Sequence, residues 1–177
     1  MEELTIEALE TKDKEILLDE IMDRYGQDIL RLVYSYVNNK EVAEDLTQDI
    51  FVKCYKSLHT YKGKSKLRTW LWRIAINHCK DYLKSWYNKN VIITEKESTN
   101  SRTKKEIVEQ VIIQKEDDNR LMSTIMMLPV KYREVIYLFY YEELLIKEIA
   151  VLIETSANTV KTRLRRAKEL LKERLEE

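Results

Sequence analysis

The sequence predicts an all-α protein of two small helical domains joined by a flexible linker, the second containing a helix-turn-helix. Three observations lead there. Only two Gly and one Pro occur among 177 residues, too few for the turns of a sheet protein or for a glycine-rich nucleotide loop. Apolar residues recur at spacings of three and four, and no comparable period-two run appears. Residues 88–105, NKNVIITEKESTNSRTKK, lose that period and gain Asn, Ser and Thr.

Helical spacing covers Ile16 to Val37, Val42 to Leu58, Trp70 to Leu83 and Ile125 to Tyr141. Between the second and third patterns, YKGKSKLRT at 61–69 holds Gly63 and Ser65 and reads as a cationic connecting loop. Pro129 is placed in the first turn of a new helix, where its missing amide proton costs nothing. The division that follows is an N-terminal helical domain at 1–87, a linker at 88–117 and a C-terminal domain at 118–177. With 44% hydrophobic residues, the chain can bury a core in each, although domains typically run to roughly 100–150 residues.

The formal net charge is zero, with 31 basic and 31 acidic residues, which excludes a uniformly basic nucleic-acid coat. The charges are nevertheless segregated. Residues 1–60 carry net −7, 61–105 net +9, 106–155 net −5 and 156–177 net +3. This patterning suits two polyanion-facing surfaces alternating with two that face something else, and ordinary solvated helix faces are the plainer alternative. Cys54 and Cys79 form neither a metal pair nor a disulfide framework, which fits a reducing cytoplasm. The acidic N-terminus lacks an apolar segment and no stretch approaches the ~18 apolar residues of a membrane span. A soluble, cytoplasmic protein without membrane insertion, metal or cofactor is expected.

Near the C-terminus, IKEIAVLIETSANTVKTRLRRAKELLKERL spells a short helix, a tight turn and a longer basic helix. Ile149, Ala150 and Ile153 supply the apolar face of the first helix. Val160, Leu164, Ala167 and Leu171 supply that of the second, with Ser156 as N-cap. Stepping 100° per residue from an inward Val160 puts Asn158, Thr162, Arg165 and Glu169 opposite the core, flanked by Lys161 and Arg166. Such a face suits a major groove: Arg forks onto guanine, Asn pairs with adenine, and Lys holds phosphate. A terminal amphipathic helix kept soluble by its basic face would show some of the same pattern.

In the N-terminal half, AEDLTQDIFVKCY at 43–55 places Leu46, Ile50 and Cys54 on one stripe and Asp45, Gln48 and Asp49 on another. TWLWRIAINHCKDYLK then mixes polar groups with Trp70, Trp72 and Tyr82, aromatics suited to a helical core and also to unstacked bases.

With these residues in view the chain resembles the sigma factors of bacterial RNA polymerase, specifically the compact extracytoplasmic-function group. AEDLTQDIFVKCY is similar to the family's polymerase-binding helix and TWLWRIAINHCKDYL to its minus-ten-element helix. LPVKYREVIYLFYYEE resembles the opening of its second domain and SANTVKTRLRRAK its minus-thirty-five recognition helix. The chain departs from the family pattern at Glu143 and Leu145, where Gly and Ser are usual, at Glu154 in place of the turn Gly, and at Leu67 in place of an aromatic residue.

The resemblance implies a set of roles. Asp45, Gln48 and Asp49 would dock on the basic clamp of the largest polymerase subunit. The loop with Lys62, Lys64, Lys66 and Arg68, and the helix after it with Asn77 and Asp81, would capture a flipped minus-ten base, while Lys80 and Lys84 hold phosphates. Ser156, Asn158, Thr159, Lys161, Thr162, Arg165 and Arg166 would meet the minus-thirty-five element. Core RNA polymerase, promoter DNA and an anti-sigma factor, often membrane-anchored, are the implied partners, and no enzymatic activity is implied. Rival readings are a regulator binding DNA without polymerase, a helical adaptor, and an enzyme acting on nucleic acid in which acidic pairs hold Mg²⁺ and His59 or His78 acts as base; the two histidines have no metal-ligand partner at suitable spacing.

Overall fold

A computed structural model describes residues 12–94 and 116–177, with side chains described at 12–90 and 119–177. The acidic start of the chain and most of the linker expected at 88–117 lie outside them. The chain forms two compact units, Met1–Tyr82 and Leu83–Glu177, and no strand occurs among the described residues.

In the first unit, Asp13 caps α1 (Lys14–Val37) by accepting from the Glu15 amide at 3.1 Å. The helix ends at Asn38, whose φ of 50° lets its N–H reach the Tyr34 carbonyl at 2.9 Å. Asn tolerates this left-handed conformation better than most residues. Asn39 then caps α2 (Lys40–Ser57) through the Val42 amide, so two asparagines alone reverse the chain. After a 3₁₀ turn at Leu58–Thr60 and the cationic loop comes α3 (Leu67–Thr94). Ile21, Ile29, Leu32 and Val33 of α1, Ala43, Ile50 and Cys54 of α2, and Leu71, Trp72, Ala75 and Ile76 of α3 form the core.

Helix α3 runs seven residues beyond Tyr87, into the expected linker. The loss of apolar period marks where packing stops: Lys84 through Lys89 are exposed. The helix itself continues because nothing from Leu83 to Thr94 breaks it, neither Gly nor Pro being present.

The second unit takes in the end of α3 from Leu83, then α4 (Glu116–Met126), α5 (Val130–Ile136), a π turn (Tyr137–Tyr141), α6 (Ile146–Leu152) and α7 (Ala157–Glu176). Pro129 sits at the N-cap of α5, one residue before the first turn in which it is expected. The expected helix to Tyr141 loosens into the π turn, closed by the Glu142 N–H on the Tyr137 carbonyl, and the Tyr137 and Tyr141 rings stack with centroids 5.4 Å apart. Buried Arg133 donates to the Met126 and Leu128 carbonyls at 2.7 and 3.2 Å, satisfying the end of α4. Arg120 and Arg174 reach across in the same way, to the carbonyls of Leu175 and Met127.

Two of the departures from the family pattern, Glu143 and Glu154, fall on left-handed backbone in this unit. Glu143 follows the π turn with φ 53°, and Glu154 follows α6 with φ 54°. At the second site the Thr155 N–H bonds the Ala150 carbonyl at 3.0 Å, the six-to-one bond of a helix stop whose left-handed residue is usually glycine. Leu145, at the N-cap of α6, has no acceptor. Only half a capping box forms there, with Glu148 accepting from the Leu145 N–H at 2.7 Å. The turn geometry is thus kept by residues that pay a steric penalty for it. Glu143→Gly and Glu154→Gly should each stabilise the second unit by about 1 kcal/mol, and Leu145→Ser by a similar amount through a completed cap. Urea unfolding of the full chain followed by circular dichroism checks this; unchanged or lower midpoints would contradict it.

Candidate polymerase and promoter interfaces

Burial of Ala43, Leu46, Ile50 and Cys54 sets the rotation of α2 and leaves Asp45, Gln48 and Asp49 exposed on the far side. The acidic face is wider than the sequence pattern singled out. Glu41 and Glu44 are exposed too, and Val52, seven residues after Asp45, adds an exposed apolar group to the same stripe. Helical spacing alone could have found all three.

Asp49 differs from its neighbours. Its Oδ2 lies 3.7 Å from Nε2 of His78 on α3. The imidazole is largely buried, and neither ring nitrogen has a hydrogen-bond partner among the described residues. Burial, reinforced by Lys53, lowers the His78 pKa below its ordinary value, while Asp49 and Asp81 oppose this only in part. Near neutral pH the ring is therefore uncharged and makes no charged pair with Asp49.

The cationic loop is braced from within. The Tyr61 hydroxyl donates to the Ser65 carbonyl at 2.6 Å, its ring lies 5.4 Å from Trp70, and Gly63 takes φ 68°. Lys62, Lys64 and Lys66 are exposed around this brace. Arg68 is not equivalent to them: it is half-buried, with its guanidinium 4.5 Å above the Trp72 ring. Trp72 itself is buried edge-to-face against Tyr25, which places it in the core. On α3, Asn77, Asp81 and Lys84 are exposed at four- and three-residue spacing, and Lys80 is half-buried. Arg73, exposed one helical turn before Asn77, belongs to the same face and was not singled out by the sequence pattern.

In the helix-turn-helix, Val160, Leu164, Ala167 and Leu171 are buried, as their spacing predicts. The Ser156 hydroxyl caps the Thr159 amide at 3.1 Å and meets the Thr159 hydroxyl at 2.8 Å, so both side chains are engaged in starting α7. Asn158, Lys161, Thr162, Arg165 and Arg166 are exposed. Their side chains are not equally engaged. Arg166 is bound to Glu169 at 3.0 Å and lies 3.7 Å from Glu173, and the Thr162 hydroxyl bonds the Asn158 carbonyl. Lys161 and Arg165 make no ion pair among the described residues. Arg163 turns inward, 3.9 Å from buried Glu134.

Among the described residues no group of three or more His, Cys, Asp or Glu is arranged to hold a metal ion. Both cysteines are buried, and burial pushes the Cys54 thiol up to about 12. No helix among the described residues is long and apolar enough to cross a membrane.

The lowered His78 pKa has a stability consequence. The unfolded chain takes up a proton near pH 6.5 that the folded chain resists, so this contribution is complete above the unfolded value and declines as pH falls below it. The loss levels off beneath the lowered folded value. His78→Gln should flatten the fall in thermal midpoint of the first unit between pH 7 and 5.5; an undiminished fall would assign it to other groups.

Residues 21–87 match the family described as Sigma-70 region 2, and residues 118–171 that described as Sigma-70, region 4. The ECF RNA polymerase sigma factor SigW of Bacillus subtilis is 32% identical over 96% of this chain and 94% of its own length. The ECF sigma-E factor of Escherichia coli K12 is 33% identical over 84% and 81%. In fold, the chain is similar to the sigma factor RpoE solved in complex with the anti-sigma factor NepR from Bartonella quintana, with a TM-score of 0.71 and 20% identity over 89% of this chain and 96% of that one. Carrying both sigma-70 regions in order, and aligning with SigW over nearly all of both chains, the protein belongs to the extracytoplasmic-function group of RNA polymerase sigma factors.

Proposed function

We propose that the chain binds core RNA polymerase through its first unit and selects promoters with both. The observation that carries this reading is that each sigma-70 region exposes, opposite its buried stripe, the charge its partner requires: carboxylates on α2 for a basic protein surface, cations on the loop, α3 and α7 for DNA. In this reading residues 1–87 dock on polymerase and open the minus-ten element, 88–117 link the regions, and 118–177 read the minus-thirty-five element. Asp45 and Gln48 carry the docking. Asn77 and Asp81 meet a base that has left the stack, at a cost of a few kcal/mol, while the loop lysines hold the strand. The work is binding without catalysis, carried out in the cytoplasm. The relative RpoE is held by NepR, and we assign this chain an anti-sigma partner of its own.

On α7, Arg165 is the base reader and Lys161 the phosphate contact, because both are exposed and without ion pairs, whereas Arg166 is partly neutralised by Glu169 and Glu173. Ser156 and Thr159 contribute by fixing the start of the helix.

Two measurements test the reading. Asp45→Arg with Gln48→Ala should abolish capture of core polymerase and leave the circular dichroism spectrum unchanged, since both side chains lie off the buried stripe; wild-type capture would remove this face from docking. Arg165→Ala should relax sequence preference within the minus-thirty-five element by about 1–3 kcal/mol at one position, whereas Lys161→Ala weakens all sequences and lowers the salt slope by roughly one. Holoenzyme binding to a minus-thirty-five library at several salt concentrations separates these. Identical preference in Arg165→Ala and wild type would reverse the roles.

A further inference from the structure

His78 is a titratable side chain that neither the apolar core nor the proposed recognition contacts account for. It is 16% exposed, and both ring nitrogens are buried without a hydrogen-bond partner among the described residues, although buried polar groups are ordinarily paired. The charged groups that act on the ring are Asp49 and Lys53 from α2 and Asp81 from its own helix; none comes from α1 among the described residues. Asp49 is the one placed to respond. Its Oδ2 lies 3.7 Å from Nε2, just beyond hydrogen-bond reach, and its side chain is 64% exposed, with room to turn.

A proton on the ring changes this contact. An imidazolium has both nitrogens as donors, and a charge-assisted bond to a carboxylate closes to about 2.7–2.9 Å. Reaching that distance turns the Asp49 carboxylate toward α3 and sets a positive charge against it. Asp49 belongs to the face proposed for core polymerase, and a basic partner gains less from a carboxylate that is already paired. The same basic partner disfavours the imidazolium, so protonation and docking oppose each other reciprocally. We infer that His78 is a proton switch on the polymerase-docking face: protonated, it draws in Asp49 and weakens core binding. The switch rests on the docking reading above. Burial and Lys53 hold the folded ring below its ordinary value of 6.5, so the switch acts below that pH and is silent near neutrality.

The experiment measures capture of core polymerase by the full chain between pH 7.5 and 5.5, with circular dichroism at each pH to show that the chain is folded. Over this range wild-type affinity should fall roughly fourfold more than that of His78→Gln, the scale of one exposed charge contact. The two should bind alike at pH 7.5. Asp49→Asn, an exposed position that does not threaten the fold, should bind more weakly at pH 7.5 and lose the extra fall. It should also move the NMR titration of the His78 ring to lower pH, because the carboxylate raises that value. An equal fall in wild type and His78→Gln, the full fall kept in Asp49→Asn, or an unmoved His78 titration would each overturn the switch. The docking reading fails separately, if Asp45→Arg with Gln48→Ala captures core like wild type. Lost capture in that variant, with an equal fall in His78→Gln and wild type, sinks the switch alone.

Discussion

An α-helix that buries a stripe at three- and four-residue spacing has its rotation about its own axis fixed, and with it the direction of every other side chain it carries. The proposed recognition surfaces depend on that constraint. Ala43, Leu46, Ile50 and Cys54 aim the carboxylates of α2 outward, and Val160, Leu164, Ala167 and Leu171 do the same for Arg165. A base contact tolerates only small errors in direction, so the apolar stripe matters to specificity as much as to stability. Enlarging Ala43 or Ala167, both fully buried, would rotate or displace a face without touching one of its polar residues.

The second unit adds a polar version of the same constraint. Its helices are short, α5 and α6 having seven residues each, and helices of that length are not stable alone. Arginines stitch them together: Arg133 closes the turn between α4 and α5, Arg120 and Arg174 tie α4 and its following turn to the end of α7, and Arg163 approaches Glu134. Only Arg133 is buried, so its removal would strand the Met126 and Leu128 carbonyls at a cost of about 1–3 kcal/mol, whereas the bonds of Arg120 and Arg174 are exposed and contribute less. Part of the excess of basic residues in α7 therefore belongs to assembly. The basic face proposed for DNA is smaller than the charge count of that helix suggests.

Much of this was legible in the sequence because it is periodic. The buried stripes, the Ser156 cap and the helix-turn-helix follow from local spacing, and spacing is local information. What the sequence hid arises between segments or from strain. Nothing near His78 announces Asp49, twenty-nine residues earlier. Arg68 counts as one more loop cation until Trp72 is seen beneath it. The left-handed backbone at Glu143 and Glu154 is concealed by the residue type, since glutamate gives no sign of a positive φ. Helix α3 outlasts its apolar period because that period reports burial, and a helix can continue past its last buried turn.

The contact between Asp49 and His78 joins the face proposed for polymerase to the helix proposed for the minus-ten element, one residue from Asn77. Its physical character decides whether the two compete. A charged imidazole 3.7 Å away would hold the carboxylate and reduce its value to a basic partner; a neutral one, which burial enforces here, exerts only a weak pull. Asp49 therefore remains available while still lying against α3. The same logic applies to the chain as a whole. Zero net charge leaves little long-range attraction to DNA, and at physiological salt fields fade over about 8 Å. Recognition must then come from groups within contact distance. Acidic and basic faces can therefore coexist on one small protein, each seen only by the partner placed against it.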